Sequence, residues 1–192
     1  RSEDKRLLMV PGAEAEARVG RLLAEHGVTG PFIHLHPASR WFFKCWPAAH
    51  MAELIDALCA DGQCIVMTGA PDAHERAMIA EIRARSTAAW IDLSGQLSLR
   101  EMAALSARAS LFVGVDSAPM HIAAAVETPV VALFGPPGEL EWAPWGGQHV
   151  VVSSDRHTCR PCGQDGCGGS KVSDCLVTLP VAKVLAACHQ LL

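Results

Sequence analysis

The sequence has no basic tract, and its 192 residues carry a formal net charge of −4. It therefore lacks the positive surface that bulk nucleic-acid binding requires, and small molecules are the expected partners. No segment approaches the roughly 20 consecutive apolar residues of a membrane-crossing helix, and the N-terminal stretch lacks the layout of a secretory signal. The expectation is a cytoplasmic setting without a transmembrane segment. No G-x-G-x-x-G follows the first apolar strand and no Walker lysine loop occurs, so neither a standard dinucleotide fingerprint nor a P-loop ATPase is supported. A G-x-S-x-G elbow is missing too, which takes away the best evidence for a hydrolase. Internal repeats and low-complexity segments are absent. The chain starts at Arg1 rather than methionine, which suggests a piece cut from a longer parent.

Half of the residues are apolar, enough for a sizeable core in one large domain or a tight pair of small ones. Helical spacing over residues 13–26 places Val19, Leu22 and Leu23 on one side, and Gly27 stops the run. Phe32–His36 reads as a short strand ended by Pro37, and Pro47 opens a helix through Met51, Leu54, Ile55 and Leu58. Strand and helix then alternate: Cys64–Thr68, Asp72–Arg85, Trp90–Leu93, Leu99–Arg108, Leu111–Val115, Ser117–Val126 and Val130–Phe134. Alternation of this kind predicts an α/β fold, a Rossmann-like parallel sheet with helices on both faces and right-handed crossovers. After Gly135 come a Pro, Gly and Trp-rich loop, a last strand near His149–Val152, a cysteine-bearing loop over residues 157–175 and a closing helix over Val181–Leu191.

The most informative stretch is Leu111–Ala125, where an apolar strand ends at Asp116 and an alanine-rich helix begins at once. In an open parallel sheet, ligands collect beyond the carboxyl ends of the strands, where a helix start offers unpaired N–H groups to an anion such as phosphate. Asp116 either caps that helix or accepts hydrogen bonds from ligand hydroxyls. Ser117 either caps or donates to a phosphate. His121, one turn on along the same face, either reaches the ligand or packs half-buried under the strand. Between the first strand and its helix, Ser39, Arg40 and Lys44 supply donors and two positive charges suited to a diphosphate, with solvated loop charges as the plainer alternative. In Thr68-Gly69-Ala70-Pro71-Asp72, either Asp72 or Glu75 could hold a ribose, or Asp72 is a helix cap and Glu75 a solvated charge.

Of the eight cysteines, Cys159, Cys162, Cys167 and Cys175 form C-x2-C-x4-C-x7-C within the Gly-rich loop. Four thiolates suffice for a structural zinc site, and free thiols or local disulfides are the alternatives. Cys45, Cys59, Cys64 and Cys188 fall in apolar segments and read as core.

In their order along the chain, these motifs resemble the C-terminal, donor-binding half of the bacterial lipopolysaccharide heptosyltransferases, the ADP-heptose group of glycosyltransferase family 9. The resemblance rests on H-P-x-S…K-x-W-P at His36–Pro47, T-G-A at Thr68, Leu97-Ser98-Leu99, D-S-x-x-x-H-x-A-A-A from Asp116, Leu133-Phe134-Gly135, Trp142-Ala143-Pro144-Trp145-Gly146 and the C-x-P-C loop at Cys159. It implies the second half of a GT-B enzyme, residues 1–192 forming one nucleotide-sugar-binding domain without the N-terminal acceptor domain. It further implies inverting transfer of heptose from ADP-heptose to an inner-core hydroxyl, with lipopolysaccharide core as the acceptor partner and no cofactor required. Lys44 would neutralise the diphosphate, assisted by Ser39 and Arg40, and Ser117 with the Ala118 amide would complete the cradle. Asp116 would take sugar hydroxyls with His121 behind it, and Leu97 would lie against adenine. The general base would belong to the absent N-terminal domain, and no residue here replaces it. The resemblance also leaves open peripheral association at the inner face of the inner membrane. Three positions depart from the pattern: Ala38 replaces a glycine, Ala73 falls at the acidic ribose position in ungapped register, and Pro136-Pro137-Gly138 replaces a hydroxyl-bearing residue. The alternatives are another nucleotide-sugar glycosyltransferase, an epimerase of GT-B architecture, or a non-catalytic nucleotide-binding module.

Overall fold

The computed structural model describes residues 7–192. Its first half runs α1 (Ala13–Glu25), β1 (Ile33–His36), α2 (Ala48–Ala60), β2 (Ile65–Met67), α3 (Ala73–Arg85), β3 (Ile91–Asp92) and α4 (Leu99–Ser106). The second continues β4 (Leu111–Val115), α5 (Ala118–Ala125), β5 (Val130–Phe134), α6 (Glu139–Trp142), β6 (His149–Ser153), α7 (Asp174–Val177) and α8 (Val181–Leu191). All five strand pairings are parallel. The order is β3-β2-β1-β4-β5-β6, which reverses direction between β1 and β4.

Strand alternation divides the interior into two layers. Leu111, Val113 and Val115 of β4, with Val131 and Leu133 of β5, face α2, α3 and α8 in a core that includes Met51, Leu54, Ile55, Ile79, Ile82 and Val184. Their neighbours Phe112, Val130, Ala132 and Phe134 face the opposite way, onto Met120, Ala123 and Ala124 of α5. On that same side α1 and α4 pack over Val66 and Leu93. Both β4 and β5 are buried along their whole length, as expected of parallel strands covered on two faces.

Local signals set most boundaries. After α1, His26 caps the helix and Gly27 adopts φ 71°, while Gly27 N–H donates to the Ala24 carbonyl and Val28 N–H to that of Leu23. This is the left-handed closure that glycine allows at no steric cost. Asp72 accepts from the His74 and Glu75 amides to cap α3, and Ser98 with Glu101 forms a reciprocal capping box on α4.

Differences from the sequence expectations are small. Pro47 is the cap before α2, with extended ψ 138°, rather than its first residue. A 3-10 turn over Phe42–Lys44 precedes it. Helix α4 ends at Ser106 rather than Arg108, because the chain turns to place Ser110 N–H on the Phe32 carbonyl. The four-residue helices α6 and α7 lie inside segments expected to be loops; each is too short for an apolar period to register.

Gly114 sits opposite His36 in the β1–β4 pairing. A Cβ there would lie 2.9 Å from the His36 carbonyl oxygen and 2.7 Å from the Phe112 ring, and the backbone oxygen cannot swing aside. Gly114→Ala should therefore lower unfolding free energy by about 1–3 kcal/mol in denaturant titration. A loss under about 0.5 kcal/mol, the range of neutral surface changes, would contradict this packing.

Candidate functional site

The reversal of strand order leaves a crevice beyond the carboxyl ends of β1 and β4, the general location of ligand sites in such sheets. A cleft of about 710 Å³ opens there. The eight residues expected to bind the donor lie on its wall, Ser39, Arg40, Lys44, Leu97, Asp116, Ser117, Ala118 and His121, as does Glu75, whereas Asp72 does not. The strand order sets their sequence across the sheet edge. Gly69, Ala70 and Pro71 follow β2, with Leu97 and Met102 beside them at the start of α4. The segment His36–Lys44 follows β1, Asp116–Ala118 follows β4, and Trp142 closes the β5 side.

At the centre, Lys44 Nζ donates to Asp116 Oδ2 at 2.6 Å. Asp116 is buried and Lys44 about one-fifth exposed. The fixed ammonium depends on a well-anchored loop. Phe43 and Trp46 are buried on either side of Lys44, Trp46 Nε1 donates to the Leu179 carbonyl at 3.1 Å, and the Phe43 carbonyl accepts from Ser173 Oγ at 2.6 Å. Because Asp116 is turned to Lys44, it does not cap α5. Ser117 occupies the cap position but makes no side-chain cap hydrogen bond; its hydroxyl donates instead to the Val115 carbonyl at 3.2 Å. The first turn of α5 is thus left without a side-chain acceptor, with Pro119 inside it, and its N–H end points at the crevice. Half-buried His121 lies one turn further along this wall. Buried Ser39 accepts from the Trp41 amide at 3.3 Å, and Arg40 is exposed at the rim with its guanidinium 5.6 Å from the Trp41 ring centre.

Beneath the β1 side runs a buried polar chain that the sequence reading did not single out. His34 Nδ1 lies 2.9 Å from Ser106 Oγ and its Nε2 2.7 Å from Thr68 Oγ1, while His36 Nδ1 lies 2.9 Å from the same threonine oxygen. Thr68 has one hydroxyl proton, so at most one imidazole accepts from it and at least one donates to it, which couples the two tautomers. The signal available was two histidines spaced i, i+2 on a strand, which places both on one face. Burial pushes His34 down to about 3, with the charge of His36 adding to the effect, and burial pushes His36 down to about 4. Both rings are neutral near pH 7. The 3.9 Å approach of His36 Nε2 to Glu75 Oε2 is therefore a dipolar contact rather than an ion pair. Glu75 is buried against the cleft, accepting from the Ala70 amide at 2.8 Å, so it is not a solvated helix charge. Asp72, the helix cap, is exposed.

A profile of glycosyltransferase family 9 (heptosyltransferase) matches residues 10–172. The chain belongs to this family. Lipopolysaccharide heptosyltransferase 3 of Escherichia coli is 36% identical over 176 residues, covering 91% of this chain and 51% of that protein. The family 9 chain thus spans about half the length of that curated relative. Among solved structures, a family 9 glycosyltransferase from Veillonella parvula DSM 2008 superposes with a TM-score of 0.83 at 22% identity, over 98% of this chain and 54% of that one. The E. coli ADP-heptose lipopolysaccharide heptosyltransferase II gives a TM-score of 0.73 at 24% identity, over 96% and 53%. Both likenesses confirm the Rossmann-like fold.

In this family 9 chain the cysteine loop does not support the zinc reading. Cys159, Cys162, Cys167 and Cys175 all border one small cavity of about 260 Å³. Yet among the described residues no group of three or more His, Cys, Asp or Glu side chains is placed to hold a metal ion. All eight cysteines are free thiols. Cys188 is in the core on the α2–α8 side, with partly buried Cys45 and Cys59 packed against that layer, and partly buried Cys64 packs against the α1–α4 layer on the opposite face. Among the described residues no helix is long and apolar enough to cross a membrane.

The buried histidines make a pH prediction for this family 9 chain. Their folded-state values lie below the ordinary 6.5, so the unfolded chain binds protons first on acidification. The contribution of the two histidines to stability is then constant above pH 7 and falls from about 6.5 toward 4, by about 1.4 kcal/mol per pH unit for each unmatched proton. Urea unfolding at successive pH values should show this slope, made shallower in the His34→Asn, His36→Asn double variant. An identical slope in parent and variant would contradict the assignment.

Proposed function

We propose that this chain is the donor-binding half of an inverting heptosyltransferase of GT-B architecture, with ADP-heptose as donor and lipopolysaccharide inner core as acceptor. The observation that carries the reading is the fixed Lys44–Asp116 pair at the uncapped start of α5, a cation and a carboxylate side by side at the strand-order reversal. A nucleotide sugar needs both: positive charge for the diphosphate and a hydrogen-bond acceptor for the hydroxyls of the sugar. The names of the relatives, lipopolysaccharide heptosyltransferase 3 among them, support the choice of sugar and pathway.

In this reading Lys44, with Ser39 and Arg40, holds the diphosphate, and Ser117 and the Ala118 amide complete the cradle. Asp116 takes sugar hydroxyls, with His121 behind it. Leu97 and Met102 face the adenine, and Glu75 is the carboxylate nearest the ribose position, in place of the expected acidic residue at Ala73. During transfer, an acceptor hydroxyl oxygen attacks the anomeric carbon from the face opposite the leaving group. The anomeric C–O bond to the diphosphate breaks, and its electron pair leaves with ADP. Lys44 and the α5 N–H groups face the charge that develops there, so the step needs no cofactor. The acceptor's proton passes to a base outside this chain, in the N-terminal half that family resemblance implies. The proposed setting is the cytoplasm, with peripheral association at the inner face of the inner membrane.

Calorimetric titration of variants tests these roles. Lys44→Ala should weaken ADP and ADP-heptose alike, by about tenfold or more, the loss of one charge-assisted contact. Asp116→Ala should weaken ADP-heptose but leave ADP within a few-fold, because removing the carboxylate also frees Lys44. Far-UV circular dichroism should stay native for both. Parent-like binding of ADP-heptose by both variants would refute the site.

A further inference from the structure

Trp142 is the last residue of α6 and stands on the cleft wall with about half of its surface exposed. Four residues cannot make a self-supporting helix, and the segment leading to it is pinned from the cysteine loop. Arg160, buried in its side chain, donates from Nε to the Gly135 carbonyl at 2.7 Å and from Nη2 to Glu139 Oε2 at 2.9 Å. The Cys162 and Gly163 amides both donate to the Pro136 carbonyl, at 3.1 and 3.0 Å. This anchoring holds a large apolar ring at the mouth of a charged cleft.

The other exposed indole on the rim, Trp41, is already engaged by the Arg40 guanidinium and the Phe43 ring. Among the described residues, no aromatic or cationic side chain stacks on Trp142. Its place in the strand order supplies the rest of the argument. Apolar Leu97 and Met102 lie at the β2–β3 end, the Lys44–Asp116 pair at β1–β4, and Trp142 at β5. A nucleoside diphosphate sugar is likewise apolar ring, then charge, then sugar. Laid along the sheet edge with its diphosphate at Lys44, its base meets Leu97 and its sugar reaches β5.

From this order we infer that Trp142 is the stacking platform for the sugar ring of the donor, its indole face against the C–H face of the pyranose while Asp116 takes the hydroxyls. The inference rests on the donor-site reading above and adds a residue that selects sugar from bare nucleotide. An aromatic face carries negative quadrupole and suits the weakly positive C–H groups of a saccharide.

The test is calorimetric titration of the parent chain, Trp142→Ala and Trp142→Phe with ADP and with ADP-heptose. Trp142→Ala should leave the ADP dissociation constant within about twofold and raise that for ADP-heptose by about three- to tenfold, the range of one aromatic contact. Trp142→Phe should stay within about twofold of the parent for both. Equal weakening of both ligands by Trp142→Ala, or no effect on either, overturns the platform while leaving the donor site standing. Failure of the parent to bind ADP at all overturns the donor-site reading and the platform with it.

Discussion

The parallel pairing of β1 with β4 is the constraint on which the rest of this structure depends. Because the two halves of the sheet wind outward from that seam, the chain leaves β1 and β4 on adjacent lines and covers opposite faces. The seam aligns His36 with Gly114, and Gly114 is where the two backbones come too close for a side chain. Two residues beyond Gly114 stands Asp116. Eight beyond His36 stands Lys44, carried over the crevice by a turn that Trp46 locks to the far core. The ion pair spans the seam because the sheet leaves both ends there. Its exposure is low on the aspartate side, so solvent screening is weaker than for the surface pairs Arg85–Glu81 and Lys171–Asp165.

Much of this was legible in the sequence because the signals were local. The limits of β4, β5 and α8 read directly from uninterrupted apolar runs and 3.6-residue spacing, and Asp72 and Gly27 announced a helix start and a helix end. The cleft wall was legible for a related reason. In a doubly wound sheet the strand-to-helix turns lie on one edge, so finding the turns finds the cleft. What escaped were relations between distant residues. That Lys44 pairs with Asp116, 72 positions away, depends on strand order, which no local period encodes. The same is true of the Ser106–His34–Thr68–His36 chain. Glu75, by contrast, was one of two candidates in its turn, and its direction toward the cleft follows from a local hydrogen bond that it accepts from Ala70 N–H. Helices α6 and α7 were invisible because one turn has no period. The C-x2-C knuckle suggested a metal from spacing alone, and it gave no sign that Arg160, Cys162 and Gly163 of the same loop brace Gly135–Glu139.

That bracing links two features that look unrelated in sequence. The cysteine-bearing loop sits behind the β5 turn and fixes the segment that ends at Trp142, so the cleft has one wall built by the sheet and another built by a distant loop. The charged centre in turn has a built-in balance. With Asp116 and Lys44 paired, neither group is left buried without a partner, which avoids the cost of an isolated charge. In the proposed donor site, an arriving diphosphate would take over the lysine while sugar hydroxyls take over the aspartate. The central claim is that this centre receives a nucleoside diphosphate through protein charges alone.

Calorimetric titration of the unmodified chain with ADP, UDP and NAD, each with magnesium and again with EDTA, tests that claim most directly. The account predicts saturable binding that favours ADP and is the same within error in magnesium and in EDTA. Binding that vanishes in EDTA, or a preference for UDP or NAD, would contradict it.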